Sequence, residues 1–271
     1  MYDNCMQHPN RIRAFSLVEL SIVLVILGLL TGGILAGQSL IRAAQLRAVS
    51  TEYMRYKTAV GSFRDKYFAL PGDMANATSF WGTAGTCPGT SASPSTSAAT
   101  CNGNGDFTLD PTVSTGNEYY RFWQHLANAG LIEGSYSGVA NSTTASAALS
   151  LPGTNVPTSK LTGAGWSVYN YGNPGVASTL TFEGNYGNSF SFGATNLSTI
   201  TDGPILKPEE AWNIDTKMDD GKPGTGGVRT YEAYGSSCSD TAASTTVAIA
   251  ATSAYLLSNS SLACNLIFNM M

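Results

Sequence analysis

Between Phe15 and Gly37 the chain has one charged side chain, Glu19, in 23 residues. As an α-helix this stretch spans about 34 Å, enough to cross a bilayer. Its polarity then changes without any helix stop. Leu46, Val49, Tyr53, Tyr56, Val60, Phe63 and Tyr67 recur at alternating spacings of three and four, the stripe of an amphipathic helix. Leu70-Pro71-Gly72-Asp73 ends it. The expectation is one helix of about 53 residues, roughly 80 Å long, apolar all round in its first half and apolar on one face in its second. A cleaved secretory signal would instead show a shorter apolar stretch and then a small-residue cleavage site. Here the helical pattern runs straight on.

The rest of the chain reads differently. Charged residues make up 12% of the 271 positions, against about a quarter in ordinary globular proteins. Ser, Thr, Gly and Asn take their place, which suits a secreted, loop-rich β protein. With 43% hydrophobic residues the chain is not a disordered one. A net charge of -4 gives no global basic field for nucleic acid. That charge is divided unevenly. Residues 38–67 hold Arg42, Arg47, Arg55, Lys57, Arg64 and Lys66 against Glu52 and Asp65, a net of +4. Residues 68–271 hold 14 acids and 6 bases, a net of -8. A basic stalk and an acidic head could pack against neighbouring copies; the alternative is an ordinary solvated helix face.

Five cysteines are present and no C-x-x-C, which argues against a zinc ribbon or a thioredoxin-like centre. Cys5 stands alone before the apolar segment. The other four allow three pairings. Nearest-neighbour pairing, Cys87 with Cys101 and Cys238 with Cys264, closes two compact loops and is preferred. Disulfides would imply an oxidising compartment.

An ionised acid near the centre of a membrane span costs about 2.5–3.5 kcal/mol, so Glu19 is a functional candidate that needs a cationic partner. Arg11-Ile12-Arg13-Ala14-Phe15-Ser16-Leu17-Val18-Glu19-Leu20 resembles the processing and methylation motif of type IV prepilins and type II secretion pseudopilins. The resemblance covers residues 11–73. It implies a leader, residues 1–14, removed by a prepilin peptidase between Ala14 and Phe15, with methylation of the new Phe15 amine. The family favours Gly before the cut; Ala14 is also small. The resemblance further implies that Glu19 pairs with the Phe15 amine of an adjacent subunit during assembly. Such a pair is strong in an apolar core and weak in water.

The implied fold is α+β and pilin-like: a long N-terminal helix packed against an antiparallel β-sheet head. The expected parts are the leader 1–14, the transmembrane half-helix 15–37, the amphipathic half-helix 38–70 and the head 71–271. Within the head, Thr83–Thr100 reads as a surface loop, and Asn117–Gly130 as a short helix with Tyr120, Trp123, Leu126 and Ala127 on one face. His125 lies there, in a packing or solvent-facing role. Trp166–Tyr171, Ser178–Glu183 and Ser189–Phe192 read as an antiparallel meander. Glu209–Ile214 reads as one helical turn, and Gly227–Tyr234 and Ala254–Leu257 as further strands.

Two segments have oxygen-bearing side chains at spacings that suit a hard cation. Asn102, Asn104 and Asp106 alternate as in the first half of an EF-hand loop. Phe107 stands where that loop wants Gly, and Val113 where it wants a bidentate acid. Asp215, Asp219 and Asp220 precede a Gly/Pro turn. Calcium is the candidate ligand at both; the alternatives are a plain Gly/Asn turn and a solvated acidic turn. No cofactor is required.

Beyond the leader there is one histidine, and there is no Gly-x-Ser-x-Gly elbow, His-Glu-x-x-His or Walker loop, so the expectation is a non-enzyme. The resemblance implies a structural subunit of a type IV pilus or a secretion pseudopilus. It would begin as a single-pass precursor in the bacterial inner membrane with its head in the periplasm, and later enter a filament. Its partners would be identical or homologous pilin subunits, the prepilin peptidase, the inner-membrane assembly machinery and membrane lipid. The alternative is a pilin-like tip adhesin or DNA-uptake subunit.

Overall fold

The structure, a computed structural model, describes residues 16–85, 87, 98–109, 118–141, 149–172, 181–196, 200–231, 237–241 and 247–270. The leader 1–14, Phe15 and Cys5 lie outside the described residues. The long helix forms as expected: α1 runs Leu17–Tyr67, 51 residues. The chain divides into two units, one ending at Ala44 and the other running Gln45–Met271.

In the first unit α1 buries nothing. Fifteen large apolar side chains from Leu17 to Ile41 are each 50% or more exposed. A surface of that kind is stable only in lipid or against other protein. In the second unit α1 is amphipathic, and its stripe of Val49, Tyr53, Tyr56, Val60 and Phe63 is buried. That stripe meets a four-stranded antiparallel sheet of order β1-β2-β4-β3: β1 Ala164–Asn170, β2 Asn188–Ala194, β3 Val228–Arg229 and β4 Leu266–Asn269. Strand alternation sends Trp166, Val168, Phe190, Phe192, Leu266 and Phe268 to the core face. Register aligns them: Trp166 opposite Phe192, Val168 opposite Phe190, and Phe190 opposite Phe268. Tyr53 stacks on Phe268 at 4.9 Å, and Tyr56 meets Trp166 edge-on at 5.6 Å. Helix α2, Thr78–Trp81, and helix α3, Glu118–Asn128, follow α1. Trp123 of α3 closes the core over Tyr56 at 5.0 Å.

Several expectations change. The meander skips its middle member: β1 pairs directly with β2, while Thr181 bridges Tyr231. Residues 178–180 lie outside the described residues. The turn expected at Glu209–Ile214 is a full helix, α4, Pro208–Met218, with Pro208 in its first turn and the Lys207 N–H donating to Glu210 Oε2 at 2.9 Å. Asp215 is therefore helical. Of Gly227–Tyr234, Val228–Arg229 forms strand, and 232–234 lie outside the described residues. Ala254–Leu257 makes only the Tyr255 bridge to Ser239, with α5, Val247–Thr252, before it. The central β4 was not anticipated.

The charge division is weaker at the surface than in the sequence. Among the described residues of the head, Asp73, Glu118, Asp202 and Asp215 are buried, as are the cation Arg121 and, on α1, Glu52. The exposed second half of α1 keeps its cations.

Candidate functional site

At the start of α1, Ser16 and Glu19 form a reciprocal cap. Ser16 Oγ accepts the Val18 N–H at 3.3 Å, and Glu19 Oε2 accepts the Ser16 N–H at 2.9 Å. The Ser-x-x-Glu spacing is that of a capping box, here with the hydroxyl on the second helical N–H in place of the third. Glu19 also sits in the first turn, where the helix dipole favours an anion. The acid thus organises the chain directly after the expected cut. Ala14 and Phe15 lie outside the described residues, so the cleavage and methylation positions remain sequence expectations.

Farther along α1, Glu52 reaches into the head. Ser159 Oγ, the Lys160 N–H and Trp166 Nε1–H donate to its carboxylate at 2.7, 2.8 and 2.7 Å. A buried carboxylate is tolerable only when hydrogen-bonded in this way. The periodicity that places α1's apolar stripe gives no hint of this tie.

The end of α1 is held by a second buried polar group. Gly72, at φ 85°, turns the chain so closely against α3 that a Cβ would fall 2.4 Å from the Glu118 carbonyl. Its N–H donates to His125 Nδ1 at 2.9 Å, while His125 Nε2 meets Thr100 Oγ1 at 3.0 Å. Burial, together with the nearby Arg121 cation, depresses the imidazole to about 3. His125 packs; it is not exposed for chemistry.

The sign of the resulting pH effect follows from linkage. An unfolded histidine takes its proton near pH 6.5 and the folded one only near 3, so stability falls as pH drops through that window. Loss on the order of 3 kcal/mol between pH 6.5 and 4 is expected. Burial raises the carboxyls of Asp73 and Asp215, which act in the opposite sense. The reading is therefore the difference between wild type and His125→Gln in melts of a fragment 38–271. Identical pH slopes in the two would refute the assignment.

The four expected cysteines pair as Cys87–Cys101 and Cys238–Cys264, with Cα separations of 5.6 and 5.0 Å. The second bond fastens the chain just before β4, which lies in the middle of the sheet.

At Asn102–Asp106 the oxygens are engaged with the chain itself. Asn102 Oδ1 accepts the Thr78 N–H at 2.9 Å. Asn104 Oδ1 takes the Asp106 N–H at 3.0 Å, and Asp106 Oδ1 takes the Thr108 N–H at 2.7 Å. Two acids outside the motif cradle the loop. Asp73 receives the N–H groups of Gly105 and Phe107 at 2.6 and 2.7 Å, and Glu118 that of Asn104 at 3.1 Å. Phe107 takes φ 64°, the turn conformation that an EF-hand assigns to Gly.

Asp215, Asp219 and Asp220 do converge, each offering a carboxylate oxygen within 4.8 Å of the others. Tyr255 Oη donates to Asp215 at 2.9 Å. Asp219 accepts the Val228 N–H at 3.2 Å, and Asp220 the Lys222 N–H at 3.0 Å. Burial, with the charges of Asp220 and Asp219 added, lifts Asp215 to about 7. A divalent cation placed among these oxygens would relieve that repulsion.

Residues 9–35 match the prokaryotic N-terminal methylation motif. That motif is typical of type IV pilins and pseudopilins, and it implies processing by a prepilin peptidase and assembly with pilin subunits. Comparison of the chain with curated proteins and with solved structures gives no match.

Proposed function

We propose that this chain is a filament subunit of the type IV pilus or secretion pseudopilus kind, cut before Phe15, methylated there, and polymerised through α1. The observation that carries this is continuity: the methylation motif runs into an exposed apolar helix, and the same helix is built into the head by its second half. The apolar half anchors the precursor in the inner membrane, with lipid around it and the head on the periplasmic side, where the disulfides can form. The assembly machinery then exchanges lipid for neighbouring helices. The chain's role is structural. The test is negative-stain imaging of sheared surface material labelled with antibody against the head: labelled fibres are expected, and label confined to membrane fragments would reject polymerisation.

Calcium belongs to the same proposal as a stabiliser of the head, held by Asp215, Asp219 and Asp220, because oxygen-only sites of clustered carboxylates suit that ion. Fragment 38–271 is expected to melt higher in calcium than in chelator, and Asp220→Asn to abolish the difference. Equal melting in both conditions would remove the ion from the account.

A further inference from the structure

We propose that the head carries both halves of a subunit contact, a socket at the end of α1 and an aromatic plug on α4, so that α4 of one copy seats against α1 of a second copy. This rests on the filament reading and specifies where neighbouring heads touch.

The socket is a groove of about 500 Å³ lined by Gly61, Arg64, Asp65, Phe68 and Phe107. The first four fall at i, i+3, i+4 and i+7 and so share one side at the end of α1. The head buries the opposite stripe. Phe68 and Phe107 are 88% and 52% exposed. Among the described residues they are also the two non-glycine positions with positive φ, 53° and 64°. Bulky side chains seldom adopt that conformation, because it strains the backbone at each position. The head thus holds two aromatic rings in strained backbone without using either to fill its core.

The plug is on α4. Glu209, Trp212 and Thr216 fall at i, i+3 and i+7 along one side of the helix, and all three are exposed. Trp212, 38% exposed, lies one helical turn after the Glu209 carboxylate. On the half of α1 that belongs to the head's unit, Arg47, Arg55, Lys57, Arg64 and Lys66 are exposed against one exposed acid, Asp65. Charge complementarity therefore selects an acidic partner and repels a second α1 carrying the same cations. An indole with Glu209 one turn away fits an aromatic groove rimmed by Arg64: ring meets ring, and guanidinium meets the Glu209 carboxylate. Because socket and plug are different surfaces of one chain, the contact is heterologous, and a heterologous contact that does not close builds an open filament.

The test uses the full chain in cells, with a photoreactive benzoyl-phenylalanine in place of Trp212. Irradiated filaments are expected to yield dimers crosslinked from position 212 to residues 61–68 or 107 of a second copy. Crosslinks confined to other surfaces, to lipid or to a different protein would overturn the contact, as would normal filaments with no dimer. Phe68→Gly supplies a second arm, since it removes the ring and relieves the backbone. Filaments are expected to fall by about tenfold, equivalent to about 1.4 kcal/mol, with normal monomer levels and a head that melts no lower. Normal filament numbers, or a less stable head, would overturn the proposal. Filaments without the crosslink remove this contact alone; absence of any filament removes the assembly reading and the contact with it.

Discussion

Glu52→Ala is expected to lower the stability of the head by about 3–5 kcal/mol, the cost of breaking a buried, charge-assisted network at one partner. Three donors, from Ser159, Lys160 and Trp166, lose their acceptor at once. Ser159 Oγ and the Trp166 indole N–H are left facing a space that water reaches poorly, because Ser159 is 6% and Trp166 0% exposed. Few domains have more than about 5–15 kcal/mol in total, so much of the mutant head would be unfolded at physiological temperature. Glu52→Gln keeps one good acceptor and should recover part of the loss. Urea melts of fragment 38–271 report the effect as a shift in midpoint at constant slope. A change below about 1 kcal/mol would mean that the tie adds little beyond the aromatic packing around it.

Glu19→Ala is expected to abolish or strongly reduce filaments while leaving the head folded. The proposed partner of the acid is the Phe15 amine of a neighbouring subunit, and stranding that amine in an apolar core costs several kcal/mol. Glu19 has a second, local role in the cap with Ser16, whose loss alone costs about 0.5–2 kcal/mol. Ser16→Ala separates the two, since it weakens the cap and leaves the carboxylate in place. Filaments should persist in Ser16→Ala and disappear in Glu19→Ala, with monomer present in both. Equal loss in the two variants would assign the acid to helix capping and not to pairing between subunits.

What the sequence disclosed follows from the range of the forces involved. Helix α1 was legible because a 3.6-residue period sustained over so many turns has no competing reading, and Leu-Pro-Gly marks its end. The disulfides were legible because each pair closes a short loop. The sheet was only partly legible. Strands β1 and β2 alternate cleanly, but Leu266-Ile267-Phe268 is a short apolar run after a cysteine, and nothing local says that it inserts between β2 and β3. The buried polar groups were least legible. Glu52 and His125 look like surface residues of amphipathic helices until partners 107 and 25 positions away are in place. The acids that organise the Asn102–Asp106 loop, Asp73 and Glu118, lie outside the motif that drew attention to it. Helix α4 runs past Ile214 through the acidic segment, where the Asp219 N–H still bonds the Asp215 carbonyl at 2.6 Å, and nothing local in Asp215–Asp220 separates a last helical turn from the Gly/Pro turn that follows.

Processing at the N-terminus and entry into a filament are the two halves of the proposed function. Mass spectrometry of the N-terminal peptide from sheared, purified surface fibres tests both halves together. The expected peptide begins at Phe15 and carries one N-methyl group, recovered from the fibres themselves. A chain that still begins at Met1, or one that starts beyond residue 35 with α1's apolar half removed, would contradict it.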